Sequence, residues 1–307
     1  MPYLCGMTTS IAYFNGQWTA CDQLRLPIDD LGFVQGATIV ERMRTFDGQV
    51  FRQEDHLQRL RASLEIVGWN APQLVAEVSD AIAGLLDRNA PQILPGDDWS
   101  VVVFITPGRT PDAAQPTVGV HGSPLPFADW ADNYNAGVEV VVPDTRQVPG
   151  NCWPAELKCR SRLHYYLADR QAAAKTSGAR ALLLDQEGYV GEATTANVVA
   201  HFREQGLVTP PRGKVLPGVS QQVLFELAGP LNIPHAQCDI TPEELSRADE
   251  VFLTSTSACM LPVVRIDGKK IGQGAPGQVY HQLLTAWSKL VGVDIVGQAE
   301  RLAGREA

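Results

Sequence analysis

Apolar and polar positions recur along the chain with two different periods, and those periods predict its elements. In "IAYFNGQW" apolar residues alternate on either side of Asn15-Gly16, a pair that favours the tight turn of a hairpin. The arrangement returns in "ATIVERMRTFDGQVFR" around Asp47-Gly48. The period then lengthens. In "QEDHLQRLRASLEIVG" residues Leu57, Leu60, Leu64 and Val67 fall at helical spacing, and Gly68 closes the predicted helix. Residues 71–88 predict a second amphipathic helix, and "WSVVVFIT" and "PTVGVHG" predict strands. The first part of the chain therefore mixes strands with two helices.

A loop rich in Pro, Asp and Asn follows at 123–135, "SPLPFADWADNYN". Beyond it, the unbroken apolar run "VEVVVP" predicts a buried strand. Residues 161–177 predict a helix; "ARALLLD" and "TANVVAHF" predict strands joined across Glu187-Gly188. A helix from Gly218 to about Leu231, a strand near Val251–Thr254 and a helix from about Gly277 to Val291 complete the pattern. There is no internal repeat and no low-complexity tract. The fold class is α/β (α+β), with a small N-terminal domain over 1–125, a linker over 126–136 and a larger domain over 137–307.

Composition narrows the function. Of 307 residues, 45% are hydrophobic, enough for a sizeable core and too many for a disordered chain. A net charge of −9 argues against a general nucleic-acid binder but leaves room for a local basic pocket. The six cysteines (Cys5, Cys21, Cys152, Cys159, Cys238, Cys259) show no CxxC spacing, and the six histidines no HExxH. Neither a metal site nor a disulfide framework is expected, and the pattern suits a reducing cytoplasm. The leader "MPYLCGMTTS" has no basic flank and no long apolar run, so neither a signal peptide nor a membrane span is expected; Met1 and Met7 are both candidate starts.

Five stretches carry candidate chemistry, each with a plainer reading beside it. In "ELKCRSRLHYY", Lys158 is either a solvated surface lysine or an imine-forming one. An amine attacks a carbonyl only when unprotonated, which a desolvated or cation-lined position favours, and Arg160 and Arg162 stand close in sequence. Glu192, in "GYVGEATTANVV", is either a solvated strand-end carboxylate or the partner of a protonated pyridine nitrogen. In "VLPGVSQQVLFELA" a helix begins at once after Leu216-Pro217-Gly218. Its first amides, at Val219 and Ser220, either complete an ordinary helix start or hold a phosphate. Thr254-Ser255-Thr256-Ser257-Ala258 is either a polar loop or an anion nest at a strand end. Arg59, in "HLQRLRASL", is either solvated or a phosphate fork.

Singly, each plain reading is the stronger; in order and spacing together, they are not. The chain resembles the class IV aminotransferases, the fold-type IV pyridoxal-phosphate enzymes, over about residues 11–291. The specific segments are "GARALLLDQEGYVGEATTANVVAHF", "TPPRGKVLPGVSQQVLFELA" and "ADEVFLTSTSACMLPVVRIDGKKIG". The resemblance implies pyridoxal 5'-phosphate as cofactor, Lys158 as the Schiff-base lysine and proton shuttle, and Glu192 as the partner of the pyridine nitrogen. It implies phosphate contacts from Arg59, Val219, Ser220 and Thr256, packing of Leu216 on the cofactor ring, and substrate-carboxylate contacts at the Ser257 and Ala258 amides.

Other positions depart from relatives. Gln35 stands where an aromatic usually lines the pocket, although Glu41 matches the family acid. The loop "TPGRTPDAAQP" puts Asp112 and Ala114 where D-amino acid aminotransferases carry an Arg-x-His pair, and Arg162 stands where lyase-like members carry an arginine. Arg44, Arg109, Arg160 and Arg162 are therefore further candidates for the substrate carboxylate. The implied reaction is ping-pong transfer of an amino group between an amino acid, of D- or branched-chain type, and a 2-oxo acid. The alternatives are an aminodeoxychorismate-type lyase and a catalytically silent scaffold. The resemblance further implies a homodimer, a small-molecule substrate, and no nucleic-acid or membrane partner.

Overall fold

The computed structural model describes residues 10–304, so both candidate starts, Met1 and Met7, and also Cys5 lie outside the described residues. The described chain divides into two units. One comprises residues 10–126 together with Leu157–Ser161; the other comprises Phe127–Glu156 and Arg162–Gly304.

The N-terminal unit is built on a six-stranded antiparallel sheet of β1 (Ile11–Phe14), β2 (Gln17–Ala20), β3 (Ile39–Phe46), β4 (Gln49–Val50), β5 (Trp99–Thr106) and β6 (Thr117–Pro124), in the order β2-β1-β6-β5-β3-β4. Both predicted hairpins form. Asn15 and Gly16 have φ of 47° and 83°, and Asp47 and Gly48 have 50° and 73°, the paired positive values that a two-residue turn needs. The one-turn α1 (Leu31–Val34) precedes β3, and α2 (Gln53–Ile66) and α3 (Ala71–Asn89) follow β4. Their apolar stripes, including Leu57, Leu60, Leu64, Val78, Ile82 and Leu85, bury against Ile39, Met43, Val101, Val103 and Ile105 of the sheet. Strand alternation then fixes the rest of β3. Ile39, Glu41 and Met43 face the helices, while Val40, Arg42 and Arg44 face the other way.

Residues 157–161 return to this sheet, whereas the sequence reading places them in the domain over 137–307. Cys159 pairs antiparallel with Ile39. The Val40 amide donates to the Lys158 carbonyl (3.0 Å), and the Arg160 amide to the Thr38 carbonyl (2.9 Å). The Ser161 hydroxyl donates to the Gly36 carbonyl (2.8 Å). Leu157 and Cys159 pack into the helix-side core, the two apolar positions of an otherwise basic segment.

The C-terminal unit holds a nine-stranded sheet. Its strands are β7 (Val138–Val141), β8 (Arg180–Leu184), β9 (Val190–Ala193), β10 (Asn197–Phe202), β11 (Gly206–Thr209), β12 (His235–Gln237), β13 (Glu250–Ser255), β14 (Cys259–Ile266) and β15 (Lys269–Lys270). The path runs β12-β11-β10-β13-β14-β7-β8-β9, with β15 on β14. The helices are α4 (Asn133–Ala136), α5 (Leu163–Lys175), α6 (Val219–Ala228), α7 (Pro242–Ser246), α8 (Gln278–Val291) and α9 (Ile295–Ala303). Three details differ from the pattern read in sequence. Across Glu187-Gly188, β8 pairs with the short β9 rather than with "TANVVAHF". The Pro-rich stretch after 123 contains α4 and a single turn at Phe127–Asp129. The long β14 was hidden by Pro262, which lacks an amide to donate and reads as a strand breaker.

Candidate active site

In the N-terminal unit a buried polar cluster forms where β3 meets α2. Glu41 is fully buried on the helix face of β3. One turn into α2 and again three residues later, His56 and Arg59 point back at it. Arg59 forks onto the carboxylate, Nε to Oε2 at 2.9 Å and Nη2 to Oε1 at 2.6 Å, and His56 Nδ1 stands 3.1 Å from Oε1. Burial alone would raise the Glu41 carboxyl, but the Arg59 charge and the His56 hydrogen bond overcome it and hold the group well below the usual range. Burial pushes the His56 imidazole down, against the pull of Glu41; the Arg59 and Lys158 charges add to that downward push. Lys158 is tied to the same helix, its amide donating to the buried Ser63 hydroxyl at 3.2 Å. The structure therefore brings Lys158, Arg59 and Glu41 into one neighbourhood.

In the C-terminal unit, Glu192 lies on β9 and is 7% exposed. The Tyr165 hydroxyl donates to Oε1 at 2.6 Å, the Leu216 amide to Oε2 at 3.1 Å, and Gln147 Nε2 to Oε1 at 3.5 Å. A carboxylate so held is fixed in position and still has acceptor capacity, since each oxygen takes about two hydrogen bonds. Leu216 is fixed from its other side as well, its carbonyl accepting from Asn197 Nδ2 at 2.8 Å. Two residues on, Gly218 packs so tightly on Asn197 that a Cβ there would clash with Asn197 Oδ1. Helix α6 starts immediately, with Val219 and Ser220 as its first residues and no side chain capping it. On β13, opposite Asn197, Thr254 carries a buried hydroxyl, and the chain turns through Thr256, Ser257 and Ala258 into β14. Cys259 ends this turn with φ 60°, and Tyr134 donates to the Ala258 carbonyl at 2.9 Å.

Arg44 and Arg109 are held in ion pairs of their own. Arg44, expected as a carboxylate binder, is buried in a structural pair. It meets Asp98 at 3.5 Å and its guanidinium lies 3.8 Å from the Phe46 ring centroid. Arg109 makes a surface ion pair with Asp29. Arg162 is the residue before α5 and sits 6.0 Å from the Tyr165 ring. The Ala258 amide turns inward to Ser255 Oγ at 3.4 Å. Asp112 accepts from the Ala114 amide inside its own loop. Tyr165, Gln147, His56, Ser63 and Asn197 were not singled out in sequence. Tyr165 lies within the "ELKCRSRLHYY" stretch and His56 stands one turn before Arg59 on α2, but Gln147, Ser63 and Asn197 meet their partners from distant elements and leave no local spacing signal. Among the described residues no group of three or more His, Cys, Asp or Glu is placed to hold a metal ion.

In the C-terminal unit the fixed carboxylate of Glu192 is tied through the Leu216 amide to the segment that leads into an uncapped helix start. That donor set fits a planar heteroaromatic ring with a protonated nitrogen at one end and a phosphate at the other. The model of the family Amino-transferase class IV matches residues 38–266. A D-alanine aminotransferase of Bacillus licheniformis is 28% identical over 280 residues, 89% of this chain and 94% of that protein. A branched-chain-amino-acid aminotransferase of Salmonella typhimurium is 27% identical over 296 residues, 92% of this chain and 94% of that protein. The solved branched-chain amino acid aminotransferase from Escherichia coli has the same fold, with a TM-score of 0.80 at 24% identity over 92% of this chain and 94% of that one.

Proposed function

The chain belongs to the class IV aminotransferases, and on that premise we propose that it moves an amino group from an amino acid of D- or branched-chain type to a 2-oxo acid. It is a pyridoxal-phosphate enzyme, and the bound cofactor supplies an electron sink for the bond electrons released at the donor's Cα. Lys158 Nζ would hold the cofactor and would serve as the base that carries the donor's Cα proton. Glu192, held in place by Tyr165 and the Leu216 amide, would accept a hydrogen bond from the ring nitrogen. Leu216 would pack on the ring, and Val219 and Ser220 would offer amides, with Thr256 a hydroxyl, to the phosphate. Arg59, whose guanidinium Glu41 holds in position, would add charge at the phosphate. The protein works as a homodimer in a reducing cytoplasm, which suits cysteines scattered without CxxC spacing. No helix among the described residues is long and apolar enough to cross a membrane.

The observation that carries this reading is the Glu192–Leu216 hydrogen bond, which ties an acceptor for a protonated ring nitrogen to the start of α6. The test is the absorption spectrum of the purified protein with single D- and L-amino acids. Loss of the visible cofactor band with one amino acid, and its return on adding a 2-oxo acid, is the expected result and fixes the donor's chirality. A persistent band with release of pyruvate would replace transfer by elimination. A protein that shows no band after incubation with pyridoxal phosphate would overturn the role given to Lys158.

A further inference from the structure

The face of the N-terminal sheet turned away from α2 and α3 carries a basic row that no role above uses. Along β3, Val40 and Arg42 share that face. Val40 pairs with Phe104 on β5, which pairs with Gly119 on β6, which pairs with Phe14 on β1. One row along, Arg42 pairs with Val102, which pairs with His121. Residues directly opposite in a sheet share a face, so these two rows lie side by side. The first is apolar: the Phe104 ring lies so close against Gly119 that a Cβ there would clash with it, and is 6.5 Å from Phe14. The second begins with a guanidinium and ends with an imidazole.

The segment 157–161 adds to this face. Leu157 and Cys159 enter the helix-side core, so alternation turns Lys158 and Arg160 to the Arg42 side. Lys158 stands opposite Val40, at the head of the apolar row. Arg42 is two residues further along β3, about 7 Å at ~3.4 Å per residue, well within the length of an arginine side chain. His121 is half-buried, and desolvation together with the Arg160 and Arg42 charges pushes its imidazole down to about 4. Both guanidinium charges are thus felt at one neutral ring.

We propose that Arg42, Arg160 and His121 form the carboxylate-recognition surface for the amino acid and 2-oxo acid, beside the half-buried Phe104, which receives the side chain. This rests on the transaminase reading above and names the substrate class of that same site: compounds with a carboxylate next to an apolar group. Two permanent cations attract the anion, a planar fork can take it bidentately, and a neutral imidazole offers one further N–H. It moves carboxylate recognition off Arg44, which is buried against Asp98, and onto Arg42 and Arg160.

The test compares the holoenzyme with Arg42→Gln and Arg160→Gln variants by two readouts. The first is the rate of cofactor-band loss with an accepted amino acid and with the amine that has the same side chain but no carboxylate. The second is calorimetric binding of 4-methylvalerate, a carboxylate with no amino group to transfer. Removing a charge-assisted hydrogen bond is worth about tenfold to a hundredfold. Each variant should lose about that factor for the amino acid and for 4-methylvalerate, and stay within about twofold of wild type for the amine. Arg42→Lys should recover part of the loss. Equal losses for amino acid and amine, or unchanged 4-methylvalerate affinity in both variants, would overturn the proposal. Should Arg42→Gln fail to fold, the exposed Arg160 still decides the matter. If no amino compound bleaches the wild-type band, the transaminase reading fails on its own, and 4-methylvalerate binding still reports on this surface.

Discussion

Replacing Glu41 by Gln keeps the shape of a fully buried side chain and removes its charge. In the wild type that charge meets the Arg59 fork through both oxygens, at 2.6 and 2.9 Å, with side-chain exposures of 7% for Arg59 and 0% for Glu41. The variant leaves a buried guanidinium with a neutral partner. Breaking one side of a buried pair destabilises by about 3–5 kcal/mol, because the desolvated charge that remains is uncompensated. At roughly 2–4 °C per kcal/mol for a protein of this size, the melting temperature should fall by about 6–20 °C. The pH dependence gives a second handle. Glu41 is held below its unfolded value, so on acidification the unfolded chain takes up the proton first. Its contribution is fully present above about pH 4.3 and is lost as the pH falls below that value. His56 is also held below its unfolded value, and so it too favours the unfolded state as the pH falls through about 6.5. Melts followed by circular dichroism at pH 8, 6, 5 and 4 separate the two. The stability difference between wild type and Glu41→Gln at pH 8 should shrink once the pH falls below about 4.3, where the Glu41 contribution is lost. A variant that melts within about 2 °C of wild type at pH 8 would refute the coupling argued for this cluster.

Three further substitutions probe the other unit and the amine. Lys158→Ala should abolish the visible band and all amino transfer while leaving the melting temperature close to wild type, since the strand at 157–161 is held by backbone bonds; full activity in this variant would leave only the silent scaffold. Tyr165→Phe removes a 2.6 Å donor from Glu192 and should lower kcat about tenfold with cofactor content unchanged, as measured by band intensity and steady-state kinetics. Gly218→Ala drives a methyl into Asn197 Oδ1 and should destabilise by about 1–3 kcal/mol while weakening pyridoxal-phosphate binding, read by melts with and without added cofactor. In the wild type the His121 ring resonances should not titrate between pH 8 and 5; a midpoint near 6.5 would place that ring in solvent.

Features set by neighbouring residues are legible in the sequence. Asn15-Gly16 and Asp47-Gly48 set their hairpins because two consecutive positive φ values suit very few other pairs. Leu57, Leu60 and Leu64 placed α2, and with it Arg59, on the correct side of a helix. What escaped depends on distant pairing. Nothing near Lys158 announces that its neighbour Cys159 closes an antiparallel bridge to Ile39, nor does anything near Gln147 announce that it reaches Glu192 and the Lys214 carbonyl. Pro262 misled in the opposite direction: it sits inside a central strand, opposite Phe252, where its missing amide reads as a breaker. Arg44 shows the limit of counting charges: its counter-ion Asp98 lies 54 residues away and is invisible until the sheet forms.

The placement of Lys158 on a paired strand, rather than on a loop, has a mechanical consequence. Its carbonyl accepts from Val40, its amide donates to Ser63, and Cys159 beside it is anchored in the core, so the backbone on both sides is held within one unit. A side chain launched from such a backbone has a defined direction, and a nucleophile must stay within about 0.5 Å of its working position. The same pairing covers part of the edge of β3, which would otherwise present unpaired amides and carbonyls. Alternation then forces a choice of faces. With Leu157 and Cys159 buried toward α2, a one-residue slip would bury Lys158 and Arg160 in that core and expose two apolar side chains. The register that stabilises the core is therefore the register that sets the amine beside Arg42 and Arg160, and a change that loosens Cys159 should lower catalysis before it lowers stability.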